Sequence, residues 1–500
     1  MTLSTAFNII NSAFTTIGTQ TSTIASNVAN ANTPGYSREI ANQVTDPFGG
    51  SEIASVTRVA DDALLDQVNS ATSDSSMLSA ISSGLSTLAQ TVSDSSSSTS
   101  TGALSNGNSP SAMLANFDDA LVTYEASPTS AQSAQAAVTA AQNVTASLNT
   151  GAAAVTEVRT QADQSIATAV SNVNSLLGQF QTVNDDIVTG LAGGTNVGPQ
   201  EDQRDSILTQ ISQQIGITTS TNQNGSMSIF TDSGVTLFQV TPVQLTFQPS
   251  GQLGAGVTGA QVMVDGTPIT GSQSTMPIQS GAIAGLVQLR DQIAPEYGAQ
   301  LDQIAGNLIS GFSETDQSST NTGLPAEPGL FTDPGASGVP NSANYTGLAA
   351  SIEVNPSVDP AQGGDATLLR DGGISDPSGA NYTYNTTGDS GYTARLQQLV
   401  TALKTPATFS AGGGIGSDTS IADYANSSVG WLQGQNAQAS SDASYQSSLL
   451  SQSSSALQNA TGVNLDTELT NMLNIENSYM TSAKLLTTVT SLLQSLIDAA

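Results

Sequence analysis

The two ends of the chain carry apolar residues at the same alternating spacing of three and four, with almost the whole sequence lying between them. Near the start, Leu3, Phe7, Ile10, Phe14, Ile17, Ile24 and Val28 fall on one helical stripe, with Thr21 in its single gap. Near the finish, Leu465, Leu469, Met472, Tyr479, Leu486, Leu493 and Ile497 repeat the pattern, with Glu476, Ala483 and Thr490 as its weaker positions. Such a stripe is the seam of a coiled coil, stable only against a partner. The simplest arrangement pairs the first helix with the last, makes these residues an assembly interface, and leaves everything between them as an insertion.

Composition supports a helical reading of that insertion. Only 10% of the residues are charged and 4% aromatic, so bulky material for a wide core is scarce. Thin, long bundles in which Ala, Val and Leu pack at close range suit such a chain. The formal net charge of -31, with nine basic residues, repels nucleic acid and anionic lipid heads, so neither is expected as a partner. There is no Cys and no His. That removes disulfides, thiolate zinc sites, and the commonest general base and metal ligand at neutral pH; no metal, cofactor or catalytic residue is expected. Met1 to Ser37 contain no charged residue, hence no basic segment of a secretory signal. The apolar residues there are spaced, not continuous, so they do not form a membrane span. Export would require a route without a cleaved signal.

Along the chain, the first helix is expected from about Ser4 to Asn30. Pro34 cannot continue it, and Gly35 and the asparagines around it favour a turn. Arg38 to Arg58 read as extended or irregular. A second helix places Leu64, Val68, Ala71, Leu78, Leu85, Ala89 and Val92 on one seam and dissolves into the Ser/Thr/Gly stretch Ser93 to Pro110, a loop or frayed end. Short helices around Met113 to Glu125 precede the longest regular pattern, Ser130 to Thr189, a helix of about 90 Å with Gly151 and Gly178 as weak points. A helix from Asp202 to Gln214 is followed by short strands between turns, a β module over roughly Ile217 to Pro277. Helix returns from Ile283 to Ser313 with a kink or restart at Pro295, then from Tyr392 to Leu403 and Ile421 to Asn459. The fold class is mainly α: a long coiled-coil-like bundle formed by both termini and the central helices, with a small inserted β module. The expected division is 1–50 with 460–500 as the terminal pair; 51–216, 281–322 and 392–459 as the bundle; 217–280 as the β module; and 323–391 as a loop-rich segment.

Several motifs look chemical and fail on context. Gly254-Ala255-Gly256-Val257-Thr258-Gly259 matches a dinucleotide fingerprint, but a strand (Gln261 to Val264) follows it, so no helix N-terminus awaits a pyrophosphate. Gly413-Gly414-Ile415-Gly416-Ser417-Asp418 matches one calcium β-roll repeat, and one copy cannot stack. Asp359, Asp365 and Asp371 do not fit an EF-hand loop. The dense cluster Glu201-Asp202-Gln203-Arg204-Asp205 reads as acids at a helix N-terminus, with Arg204 bridging to a neighbouring helix. Arg159, on the long seam, is expected to snorkel or to pair with an acid of an adjacent helix. The charge-free first helix lacks the charged flanks of an isolated coiled coil and fits the inside of a multi-subunit tube.

Two motifs carry a resemblance. Asn27-Val28-Ala29-Asn30-Ala31-Asn32-Thr33-Pro34-Gly35-Tyr36-Ser37-Arg38 resembles the N-terminal signature of the bacterial flagellar rod, hook and hook-associated axial proteins, and Gly462-Val463-Asn464-Leu465-Asp466-Thr467-Glu468 with Tyr479 and Ala483-Lys484 resembles their C-terminal one. Inside, Asp202-Gln203-Arg204-Asp205, Leu289-Arg290-Asp291, Gly329-Leu330-Phe331 and Ile352-Glu353-Val354-Asn355-Pro356 are similar to the members at the hook–filament junction. The resemblance covers nearly the whole chain, with departures. Leu457 stands near a place where the family often carries Arg, Gln135 or a neighbour replaces an Arg after Pro128, and the outer β domain of many members is reduced to a loop, Thr332 to Ala349.

The resemblance implies a structural subunit, no enzyme, located extracellularly on the flagellum after export unfolded through the flagellar type III channel. It implies a ring of identical subunits that contacts the hook protein below and a second junction protein or flagellin above, and a cytosolic export chaperone binding Asp466 to Leu496. The ends are expected to lack stable shape before partners arrive, because short neutral helices are marginal alone. The rival readings are another axial subunit, hook or flagellin-like, or a secreted enzyme or adhesin.

Overall fold

A computed structural model describes residues 3–47, 49–93, 107–318, 323–336, 338–410 and 415–499. Most of the expected Ser93 to Pro110 loop, residues 94–106, and Gly413 and Gly414 of the calcium-like motif lie outside the described residues. The chain begins with helix α1 (Leu3–Asn30), then a hairpin of β1 (Glu39–Thr45) and β2 (Ser51–Arg58), antiparallel with Glu39 opposite Arg58. Helices α2 (Asp62–Ala89), α3 (Pro110–Ala126), α4 (Ala131–Gly193) and α5 (Gly198–Gln214) follow. Next come two small antiparallel sheets, β3 (Ile217–Thr221), β4 (Met227–Thr231) and β5 (Thr236–Phe238), then β6 (Leu245–Thr246), β7 (Met263–Val264) and β8 (Thr267–Pro268). Helices α6 (Ala282–Gln288) and α7 (Ala294–Gly311) precede β9 (Phe331–Thr332), α8 (Leu348–Ser351), β10 (Glu353–Val354), α9 (Leu368–Asp371) and α10 (Ala394–Lys404). The short pair β11 (Ala407–Thr408) and β12 (Asp418–Thr419) leads into α11 (Ile421–Thr461) and α12 (Leu465–Asp498). No described helix is long and apolar enough to cross a membrane.

Local chemistry sets the helix boundaries. Ser109 and Ser130 accept backbone hydrogen bonds from Ala112 and Ser133 and so cap α3 and α4. The single helix α3 replaces the short helices expected there. Helix α4 runs 63 residues without a break, about 95 Å, and ends where Gly194 turns left-handed at φ 68°. Gly151 and Gly178 do not interrupt it. Between α6 and α7 the helix continues but widens to a π-turn over Leu289–Ile293. Pro295, with no N–H and a ring that crowds the preceding turn, is the cause. The wide turn directs Arg290 inward, where it is buried.

Two hydrophobic cores share α4. Its first half, to Ala162, packs with α2, α3, α7, α10 and α11 in one core; its second half, from Ile166, packs with α5 and the β strands in the other. The segment 323–391 is loop-rich, yet it is not an outlying remnant. Leu330, Phe331, Tyr345, Ile352, Val358 and Leu369 are buried in the first core. Phe331 lies edge-on to Phe312 and Phe117, at ring separations of 5.1 and 5.7 Å. The hairpin β1–β2 also crosses the expected division at residue 50 as one continuous unit.

Between the two cores α4 carries a buried polar layer. Arg159 is 3% exposed and donates to the backbone carbonyls of Arg290 (2.9 Å), Leu253 (3.0 Å), Gly254 (2.7 Å) and Val257. It therefore neither snorkels nor pairs directly with an acid, and burial lowers its pKa. Arg290 holds Asp163 and Asp291 and donates to the Ala260 carbonyl. The dinucleotide-like loop thus turns the Gly254 and Val257 carbonyls inward to hold Arg159, the opposite polarity from a phosphate cradle.

Two glycines separate close approach from empty space. A Cβ on Gly285 would stand 2.4 Å from the Met77 carbonyl oxygen, where α6 crosses α2, whereas one on Gly178 meets nothing within 4 Å. Gly285→Ala is expected to cost ~1–3 kcal/mol and Gly178→Ala to stabilise by ~0.5–1 kcal/mol. Denaturant unfolding of the two variants checks both signs, and a neutral Gly285→Ala would refute the close packing.

Candidate functional site: the junction of the chain ends

Helix α1 packs on α12 and on the hairpin β1–β2. Ile10, Ile17 and Ile24 are buried along its stripe, each worth about 2 kcal/mol, and Leu3 and Phe14 are half-buried. Phe14 meets Tyr479 of α12 edge-on at 5.3 Å between ring centres. Phe7 and Val28 are exposed. On α12 the half-buried positions Ile475, Ser482, Leu486, Val489 and Leu493 keep the seven-, four- and three-residue steps of a seam. This set, with half-buried Met472, shares only part of the expected stripe. Leu465, Leu469 and Ile497 are each more than 40% exposed, and Tyr479, also exposed, still reaches α1 at Phe14, so α1 covers only part of the stripe read in the sequence.

The two sequence motifs meet where these helices begin and end. Thr33, Pro34 and Gly35 form an exposed turn, with the Tyr36 amide bonded to the Thr33 carbonyl and Gly35 at φ 79°. Asn30 donates to the Ser26 carbonyl and accepts from the Thr33 hydroxyl. The turn sends Tyr36 back to donate to Asn27 Oδ1 at 2.9 Å, which also accepts the Glu39 amide. Asn27 Nδ2 donates to the Glu39 carbonyl and to Glu468 Oε2. Arg38 Nε donates to Glu468 Oε1 at 2.6 Å, and the Arg38 amide bonds the Thr461 carbonyl. The Glu468 side chain is only 1% exposed, the Arg38 side chain 27%. On the C-terminal side, Asn464 caps α12 by accepting the Thr467 amide, which sets Leu465 as its first residue. Gly462 is forced by space: a Cβ there would stand 2.4 Å from the Gln458 carbonyl oxygen.

A second set of bonds ties this junction to α5. Arg58, at the end of β2, binds Glu201 (3.0 Å), Asp202 (3.0 Å) and Asp205 (2.5 Å). The Ser37 amide donates to Asp202, and Asn196 donates to Glu39. The three acids thus sit on the first turns of α5, where the helix dipole favours them, but Arg58, not Arg204, gathers them. Arg204 is buried and donates to the Gly225 carbonyl in the β3–β4 turn, so it bridges to a turn and not to a helix. Gln203 is exposed and stands outside the cluster. Burial opposes charge on Arg58, but the three carboxylates outweigh it and raise its pKa. Burial, then Glu39, Asp202 and Glu468, pushes the Tyr36 phenol up to about 12. Sequence reasoning missed three participants: Glu468 as the buried acid, Arg58 as the collector, and Glu39 as the acceptor for Asn196. Glu468 stands inside the C-terminal motif; Arg58 is signalled only by the rarity of cations.

Comparison with known proteins adds three matches at matching places. The model of the flagellar hook-associated protein FlgK helical domain covers residues 100–329, that of the flagellar basal body rod FlgEFG protein C-terminal region covers 454–499, and that of the flagella basal body rod protein covers 11–36. The flagellar hook-associated protein 1 of Bacillus subtilis is 24% identical over 378 residues, 71% of this chain and 69% of that protein. Those of Escherichia coli and Salmonella typhimurium are 24% identical over 303 residues, 58% of this chain, so the chain spans only 53% and 52% of these two relatives. The hook junction protein FlgK of Burkholderia pseudomallei aligns at a TM-score of 0.42 with 20% identity, over 54% of this chain and 46% of that one. Ends that lock together around a two-core helical interior, each matched to flagellar families, are similar to the axial structural proteins of the bacterial flagellum. Within that class the chain is similar to the hook-associated protein 1 family.

Two outcomes follow for the junction. Arg38→Ala leaves Glu468 buried without its cation and is expected to destabilise the docked ends by ~3 kcal/mol; Arg38→Ala with Glu468→Leu is expected to cost less. Amide exchange in α1 and α12 reads the opening, and a double variant as weak as the sum of the singles would refute the coupling. Burial raises the carboxyl pKa of Asp205, and also of Asp66, Asp74, Asp232 and Asp302. The folded chain therefore holds these protons more tightly than the unfolded one. Their favourable contribution is full below the ordinary carboxylate range and is lost as pH rises through the folded values. Lowering pH from about 7 to about 5 is expected to raise the thermal midpoint; a midpoint that falls over that interval would contradict it.

Proposed function

We propose that this chain is the subunit that joins hook to filament in a bacterial flagellum, and that it acts as a building block and not as an enzyme. The observation that carries the reading is the mutual recognition of the two end motifs, Asn27 and Arg38 against the buried Glu468. Subunits form a short ring in which the paired α1 and α12 line the inner wall, with α4 and its partners in the next shell. The terminal pair (1–50, 460–500), the bundle, the β module (217–280) and segment 323–391 then divide the labour between wall and outer surface. The hook protein lies below the ring, and a second junction protein or flagellin lies above it. The subunit reaches this extracellular position through the flagellar type III channel, with an export chaperone covering Asp466 to Leu496 beforehand. The long helical interior matched to the FlgK helical domain favours this over a hook or flagellin-like subunit. Deleting the gene is expected to leave intact hooks without filaments. Loss of the hook itself, or normal filaments, would remove the junction role.

A further inference from the structure

Asn106 and Asn224 are the asparagines of this chain that glycine follows, and of the pair Asn224 lies among the described residues. It stands exposed at the tip of the hairpin that joins β3 to β4. Gly225, next to it, is left-handed at φ 84° and has no Cβ to shield its amide nitrogen. Two donors converge on the Asn224 side-chain oxygen: the Ser226 amide at 3.1 Å and the Ser226 hydroxyl at 2.8 Å. They draw electrons from the side-chain carbonyl carbon and are placed to hold negative charge on its oxygen. The tip therefore offers an activated carbonyl, an unhindered nitrogen one residue on, and open access to water.

The same tip is a clasp. The Gly225 carbonyl accepts from Nη1 of Arg204 at 2.8 Å, and that buried guanidinium has no partner at its Nε. A Cβ on Gly225 would collide with Leu191 of α4, so the turn is seated closely on the end of that helix. Met227 donates its amide to Asn184 of α4 at 2.9 Å. The path of the main chain at residue 225 is thus set by α4 and α5 together.

We propose that Asn224 is a site of spontaneous modification by water, at which the side-chain amide is lost as ammonia, the main chain lengthens, and the clasp on Arg204 opens. Hydroxide takes the Gly225 amide proton, and the nitrogen attacks Cγ of Asn224. The charge that develops on Oδ1 is held by the two Ser226 donors. Collapse breaks the Cγ–Nδ2 bond; the nitrogen leaves as ammonia with a proton from water, and a five-membered cyclic imide remains. Water then opens the imide. Addition at Cγ gives aspartate, whereas addition at the main-chain carbonyl gives isoaspartate, whose backbone runs through Cβ and Cγ and is one carbon longer. Overall a water is taken up and an ammonia released, and nothing is oxidised or reduced. The extra carbon moves Gly225 off Leu191 and its carbonyl off Arg204, which leaves a buried cation without its acceptor. The Gly225 amide donates to the Asn222 carbonyl at 3.0 Å, so attack waits on opening of the tip and is slower in the folded chain than in the unfolded one. No enzyme is required, so the extent of conversion records how long a copy has stood folded in water.

The test keeps the full chain folded in warm, mildly alkaline buffer and maps its peptides by mass at intervals, with the chain in urea as reference. Amide-to-acid conversion at Asn224 is expected, about tenfold slower folded than in urea. Asn224→Gln, whose side chain would have to close a larger ring, is expected to stay unconverted at that position. Conversion in urea with none in the folded chain, or conversion no faster at Asn224 than at other exposed asparagines, would overturn the site. For the clasp, the aged, isoaspartate-rich form is separated by ion exchange and compared with Asn224→Asp, which carries the new charge without the longer backbone. Amide exchange across Met227–Thr231 is expected to be about tenfold faster in the aged form; equal exchange in the two would overturn the release of Arg204.

Discussion

The architecture depends on one buried carboxylate. Glu468 is almost without solvent, and a lone anion there would be costly. Its two partners, Arg38 and Asn27, come from the opposite end of the sequence. Neither end satisfies the site alone, so closing the chain and neutralising the charge are the same event. Hydrophobic contact along α1 supplies much of the energy, but neutral Ser, Thr and Asn flanks leave its register loosely specified. The polar junction fixes that register by tying residue 27 to residue 468.

The scarcity of cations explains much of the rest. Forty acids face nine bases, and a net-negative surface disfavours contact between copies. Nearly every guanidinium is drawn inward: Arg58 onto three acids of α5, Arg290 onto Asp163 and Asp291, Arg159 onto carbonyls. These arginines join segments distant in sequence, replacing the bulky aromatic packing that the composition lacks.

What could be read in the sequence followed from periodicity. Helix α1 is found within a residue of its expected start, the long central helix within a few, and the strand at Met227–Thr231 nearly as read. The β1–β2 hairpin reads in the sequence only as extended or irregular, because Glu39–Arg58 lacks a clean alternation of apolar residues and its ladder is held by α1 and Arg58. How much of the α12 stripe α1 covers is not legible for a related reason: apolar residues occur on several sides of that helix, and periodicity cannot say which one a given neighbour takes. The pairing of Asn27 with Glu468 was hidden because side-chain hydrogen bonds across more than four hundred residues leave no local pattern. Each motif stands out as a sequence string; only folding shows that one reads the other.

Helix α4 has a mechanical consequence. Because one unbroken rod of 63 residues is shared by two cores, the β-bearing half is not a tethered bead on a hinge. Twist applied to one half travels down the rod with no slack linker to absorb it, while Arg159 and Asp163 clamp it at mid-span. A body built this way passes torque through as a stiff coupling and wastes little rotation in its own deformation.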